Sequence, residues 1–148
     1  MSDQKPQRRA VGWQRLENAL VASAIVVAMI AWGQPWWILL AAFLAFDISA
    51  LGYVINERVG AFCYNLVHNY AAPAALITVW AGLQLGGVSL DWIAVVAASW
   101  GFHVAVDRAL GFGLKLGPFG HTHLGILGTT AGSRKPSSEA RKTSAGGG

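Results

Sequence analysis

Four apolar runs leave this chain little choice of fold. Residues 16–32, 36–55, 59–85 and 92–110 each approach or exceed the roughly 20 residues that carry a helix across a bilayer core. Short polar turns separate them: Gly33-Gln34-Pro35, Asn56-Glu57-Arg58 and the stretch from Gly86 to Asp91. Inside lipid every backbone N–H and C=O must find its partner within the protein, so runs of this length are helices. The composition agrees. Hydrophobic residues make up 54% of the 148 and charged residues 12%, where a soluble domain carries about 25% charged residues. So short a chain cannot bury that much apolar surface in a water-soluble core. The expectation is an all-α membrane protein, a four-transmembrane-helix bundle forming one domain from 16 to 128.

Local signals refine that frame. Residues 1–15 read as a flexible basic arm. The apolar run that follows exceeds the ~7–15 residues of a signal-peptide core and has no small-residue cleavage site, so it reads as an uncleaved first span. Pro35 suits the start of the second helix, where its missing N–H costs nothing. The pair Trp36-Trp37 suits a membrane–water interface, and the seven tryptophans as a group read as anchors and packing. Pro73 predicts a kink in the third span that frees carbonyls. Ser89 or Asp91 is expected to cap the fourth helix. Residues 111–128 are glycine-rich and too broken to span, so an interfacial or re-entrant segment is expected. The Ser/Gly/Lys/Arg composition of 129–148 predicts a disordered tail. Cys63 is the single cysteine, which excludes an intrachain disulfide.

The net charge of +4 does not point to nucleic acid. The basic residues form no stripe or aromatic-interleaved patch; they flank the spans. Of the 11 Lys and Arg residues, Lys5, Arg8, Arg9 and Arg15 precede the first span and Arg58 lies in the middle turn. Arg108, Lys115, Arg134, Lys135, Arg141 and Lys142 lie at or beyond the end of the fourth. The other two turns have none. With four spans all these sites share one side, which the positive-inside rule makes cytoplasmic. The expected location is a bacterial inner membrane, with both termini inside.

Orientation turns sequence position into depth. At ~1.5 Å per residue, His68 lies about 13 Å in from the cytoplasmic face, with Asp47 close to the same level. His103 lies about 12 Å in, and Asp107 one turn shallower on the same helix face. Three spans therefore bring ionisable side chains to one level, while the other half of the bundle is plain aliphatic and aromatic. Ionisable groups at such depth are expensive and normally carry a function. Each also has a plainer reading. His103 with Asp107, or His68 with Asn65 and Asn69, can be polar glue between helices. Glu17 fits the favourable end of a helix dipole. Arg108 can snorkel to the headgroups or pair with Glu57 or Asp107. His121 and His123 can be loop polarity. Asp47 is the hardest to dismiss, because an unpaired carboxylate should not persist in a bilayer.

Taken together, FDISALGY (46–53), GAFCYNLVHNYAAP (60–73), HVAVDRALGFGLK (103–115) and HTHLG (121–125) resemble the small membrane proteins grouped as domain of unknown function 4260. The resemblance covers 15–125 and rests on Asp47, Ser49, Gly52 and Tyr53, then Tyr64, Asn65 and His68, then His103, Asp107 and Arg108. Gly111, Gly113, Leu114, Lys115 and Thr122 to Gly125 complete it. Phe46 stands where the pattern has proline and Phe112 where it has tyrosine, so a phenol at 112 is not essential. The resemblance implies a multi-pass membrane protein and no particular activity.

Three functions fit these residues. The first is a metal-dependent membrane hydrolase acting on a lipid-like substrate from the cytoplasmic leaflet. Asp47, His68, His103 and Asp107 are its candidate ligands, and a divalent metal such as zinc is the cofactor such donors would take. His123 would close the site as a further ligand or acid, and Asn65 and Ser49 would orient the ligands. The second is proton- or ion-coupled transport or sensing along the same groups. The third is a non-catalytic protein whose cluster fixes helix packing. The expected partners are the lipid bilayer and a second copy in a homo-oligomer, with no nucleic acid.

Overall fold

The computed structural model describes residues 4–116, together with the backbone of 121–122 and 125–126. Helix α1 (Gln4–Ala31) is followed by two short helices, α2 (Trp37–Ala41) and α3 (Phe43–Asp47), and a 3-10 helix (Ile48–Val54). Then come α4 (Glu57–Val67), α5 (Ala71–Leu85) and α6 (Asp91–Leu110). Beyond them a two-residue antiparallel ladder pairs β1 (His121–Thr122) with β2 (Gly125–Ile126), so the segment expected to be interfacial or re-entrant contains a small hairpin. Among the described residues, four helical stretches are long and apolar enough to cross a membrane: Arg9–Ala31, Trp37–Val54, Glu57–Leu85 and Asp91–Leu110. They coincide with the four expected spans to within a few residues, except that α1 also runs back through the expected flexible arm. The expected tail at 129–148 lies outside the described residues.

Helix α6 is the axis of the bundle. Its buried residues, from Ile93 and Ala94 to Val104 and Ala105, lie all round the helix, as befits a helix enclosed by others. Met29 of α1, Leu39 of α2 and Phe102 and Ala105 of α6 form one buried apolar cluster. At its C-terminus α6 stops at Gly111, whose φ of 101° is the left-handed conformation that ends helices. Arg15 of α1 donates from Nε to the Ala109 carbonyl at 2.8 Å, satisfying one of the acceptors left over there. Roughly half a turn around α6 from His103, Ala97 and Gly101 face an apolar cavity of ≈ 550 Å³ shared with α1 and α5.

The second and third spans are interrupted. The second tightens into the 3-10 helix, which packs closely on α4. A Cβ at Gly60 would overlap the Tyr53 ring, so only glycine there admits this contact. The third breaks at 68–70 rather than kinking at Pro73. Pro73 is the third residue of α5, and a proline ring clashes with the carbonyl four residues earlier, at Asn69, inside the observed break. The last four carbonyls of α4 all find donors. Tyr64 O accepts from His68 N at 2.8 Å. Asn69 Nδ2 donates to Asn65 O at 2.7 Å and Leu66 O at 2.9 Å, and Trp100 Nε1 donates to Val67 O at 2.6 Å. Asn69 Oδ1 then accepts from Ala71 N at 2.8 Å and starts the next helix. Trp100 therefore serves the break, within the packing role expected of the tryptophans.

Two capping expectations change. Leu90 is the N-cap of α6 and makes no side-chain cap bond. Asp91 instead accepts from Trp80 Nε1 (3.2 Å) and Gln84 Nε2 (2.9 Å), and Ser89 donates to Gln84 Oε1 (3.1 Å). These polar groups lash α5 to α6. Asn56, expected in a plain turn, is the N-cap of α4 and accepts from Val59 N at 2.9 Å.

Candidate metal centre

The breaks put functional side chains where the helices stop. Asp47 is the last residue of α3, His68 is the C-cap of α4, and His103 and Asp107 are one turn apart on unbroken α6. Their tips converge. His103 Nε2 lies 2.9 Å from His68 Nε2. His68 Nε2 is 3.6 Å from Asp47 Oδ1 and 3.5 Å from Asp107 Oδ2. For His103 Nε2 the same two oxygens are at 3.7 and 3.9 Å. One donor atom from each of the four residues lies within 4.8 Å of the other three. The four residues that the sequence reading groups together therefore meet in space.

The donor set suits a small cation. With bonds of about 2.0–2.2 Å to imidazole nitrogen and carboxylate oxygen, tetrahedral coordination sets donors roughly 3.3–3.5 Å apart. The five separations above run from 2.9 to 3.9 Å and bracket that spacing. The alternative occupant is a proton. Two facing Nε2 atoms at 2.9 Å can share one, with one ring donating and the other accepting.

The two histidines are held differently. His68 Nδ1 donates to the Tyr64 carbonyl at 3.0 Å, which leaves the Nε2 lone pair directed into the cluster. Ser49 Oγ lies 3.4 Å from the same Nδ1, a longer and weaker contact. His103 is packed instead: its ring centroid is 4.5 Å from that of Phe43 and 5.5 Å from that of Phe46. Its buried Nδ1 has no hydrogen-bond partner among the described residues. Exposure is uneven as well. The side chains of His103, His68 and Asp107 are 0%, 3% and 13% exposed, and that of Asp47 is 44% exposed. The cluster thus opens on the Asp47 side, where Leu44, Ile48 and Leu51 are exposed apolar neighbours.

Other expected site residues fall elsewhere. Asn65 makes no described bond to the four donors; its side chain donates to Lys115 O at 2.8 Å and accepts from Lys115 N at 2.6 Å. That pair of bonds ties the chain after α6 to α4. Arg108 pairs with neither Glu57 nor Asp107 by a described salt bridge; its guanidinium lies 5.0 Å from the Tyr70 ring centroid. Glu17 is exposed on α1, away from the four donors. The His121 side chain and the whole of His123 lie outside the described residues.

Two residues that the sequence reading passed over border the cluster. Tyr64 is buried, donates from its hydroxyl to Asp107 Oδ2 at 3.0 Å, and stacks on the His68 imidazole with centroids 3.6 Å apart and planes 9° from parallel. Lys115 is only 3% exposed, and its Nζ lies 4.6 Å from the Tyr64 ring centroid. Burial pushes the Lys115 ammonium below its ordinary value, and the Asp107 carboxylate works the other way. A signal for both was present, since Tyr64 lies four residues before His68 and both fall in the quoted motifs.

Fold and cluster together define a predominantly helical protein with four membrane-length apolar stretches among the described residues and a largely buried His/Asp junction. Residues 11–127 match the family described as Domain of unknown function (DUF4260), and the chain belongs to that family. No curated protein and no solved structure matches it.

Proposed function

We propose that the chain is a multi-pass membrane protein, both termini cytoplasmic, whose Asp47, His68, His103 and Asp107 hold one divalent metal at the centre of a hydrolase. The observation that carries this reading is the convergence of four donors, contributed by three membrane-length stretches, within 4.8 Å. Mixed nitrogen and oxygen donors at tetrahedral spacing favour zinc. His68, His103 and Asp107 are the buried, constant ligands. Asp47, at the opening, would be the exchangeable ligand and the nearest carboxylate to take up a proton, and a bound zinc would supply Lewis-acid activation of water. Because the opening is bordered by exposed aliphatic side chains, the substrate is an amphiphile whose polar group reaches the centre from the cytoplasmic half of the bilayer.

The 2.9 Å contact between the two Nε2 atoms favours a second reading, a proton-sharing histidine pair that fixes helix packing without metal. Elemental analysis of protein purified in detergent without chelator separates the two. The metal reading expects close to one equivalent in the wild type, lost in His103→Ala and in His68→Ala with oligomeric state unchanged. Less than about a tenth of an equivalent of any transition metal in the wild type refutes it, since three or more such ligands bind tightly. Reporter fusions at the two ends test the topology, with a non-cytoplasmic signal from either end overturning it.

A further inference from the structure

Tyr64 touches the cluster in three ways with three different groups. Its carbonyl receives the His68 Nδ1 proton at 3.0 Å, its ring lies flat on the His68 imidazole, and its hydroxyl donates to Asp107 Oδ2 at 3.0 Å. That oxygen is the one 3.5 Å from His68 Nε2. One residue of α4 thereby sets the ring plane and tautomer of a donor on its own helix. It also fixes the rotamer of a donor on α6. Filling one lone pair of Oδ2 leaves the other free for the centre.

Tyr64 is itself held. Lys115 Nζ lies beside its ring, and the neighbouring Asn65 grips the Lys115 backbone on both its N–H and its C=O. Phe112 flanks the same ammonium, with its ring centroid 5.8 Å from Nζ. A buried lysine needs a reason to remain, because taking an ammonium out of water is costly. Its place against this ring supplies one. The cation draws electron density from the phenol and makes its O–H a stronger donor to Asp107.

We propose that Tyr64, braced by Lys115, is the positioning residue of the metal centre, orienting His68 and Asp107 together. The inference rests on the metal reading and extends it to residues that touch no metal. Hydrogen bonds to ligands from such positions typically govern metal affinity by about 10–100-fold.

The test is cobalt(II) binding to full-length protein in detergent, read by its visible absorption bands and by competition with a chelator. Tyr64→Phe keeps the ring on His68 and removes only the hydroxyl. It should weaken cobalt about 10-fold or more and change the band positions, with the metal-free protein keeping the wild-type oligomeric state. Lys115→Met should weaken binding by a smaller factor, and Lys115→Arg should restore it. Wild-type affinity and an unchanged spectrum in Tyr64→Phe overturn the inference while leaving the metal reading intact. A wild type that takes up no cobalt or zinc overturns both. Should Tyr64→Phe lose its fold, the Lys115→Met and Lys115→Arg pair decides: equal affinity in both and in the wild type removes Lys115 from the proposal.

Discussion

Helix α6 and the two interrupted stretches before it supply the same cluster by opposite means. Half of the apolar window of Asp91–Leu110 is buried, against 6% for Trp37–Val54 and 11% for Glu57–Leu85, so α6 is the frame and the others lean on it. Along α6 the donors His103 and Asp107 come with the helix, one turn apart on an unbroken backbone. Asp47 and His68 stand where α-helices end; His68 is held by its bonds and stacking to Tyr64, and the break beside it by Asn69. A regular helix places a ligand through its packing. A broken one places it through a few polar contacts, each open to substitution. Interruptions of this kind tend to collect at functional sites.

The contrast can be broken by disturbing each part separately. The largest effect is expected from Ala98→Pro in the middle of α6, which removes a helix hydrogen bond and costs ~3 kcal/mol or more. Loss of a single monodisperse peak in detergent size exclusion would show it. Asn69→Ala deletes two donated bonds and one accepted bond at the break. It should cost about 1–3 kcal/mol and lower metal content by freeing His68, with the bundle still assembled. If both variants lose the fold equally, the division between frame and appended ligands is wrong.

Lys115 gives a smaller effect that depends on pH. Its folded-state value lies below that of the unfolded chain, so across the alkaline range between them the unfolded state binds more protons. Stability conferred by this site therefore rises with pH toward about 10.4. The difference in unfolding temperature between wild type and Lys115→Met should change in that direction above neutral pH; a flat difference contradicts it. The smallest effect belongs to Ser49→Ala. At 3.4 Å its contact with His68 is marginal, so stability should move by no more than about 0.5 kcal/mol and metal content not at all.

The same division explains what could be read in advance. Spans of this length and apolarity are visible in composition, and the His103–Asp107 pair follows from helix periodicity. The meeting of Asp47 with His68 is anticipated by residue rise alone, because each lies a similar number of residues from the turn that joins their two stretches. The position of the third-span interruption was missed by a few residues. Pro73 signals it, but the break settles where Asn69 and Trp100 can satisfy the released carbonyls, and Trp100 is remote in sequence. Asn65 was assigned to the cluster because it is polar and near His68; its partner, Lys115, is fifty residues away and could not be read from local pattern. The resemblance names Tyr64 without a role, and its role depends on Asp107, forty-three residues away.

The central place of α6 also bears on how such a chain assembles. It is the last of the four long helices to leave the ribosome, yet Met29, Leu39 and His68 have their packing partners on it. The three earlier stretches would enter a bilayer as loosely associated segments, and the fourth would gather them. Chain released after residue 90 should then be easily cleared by membrane proteases, with Asp47 and His68 lacking His103 and Asp107. The four donors would come together only once the fourth stretch has been made.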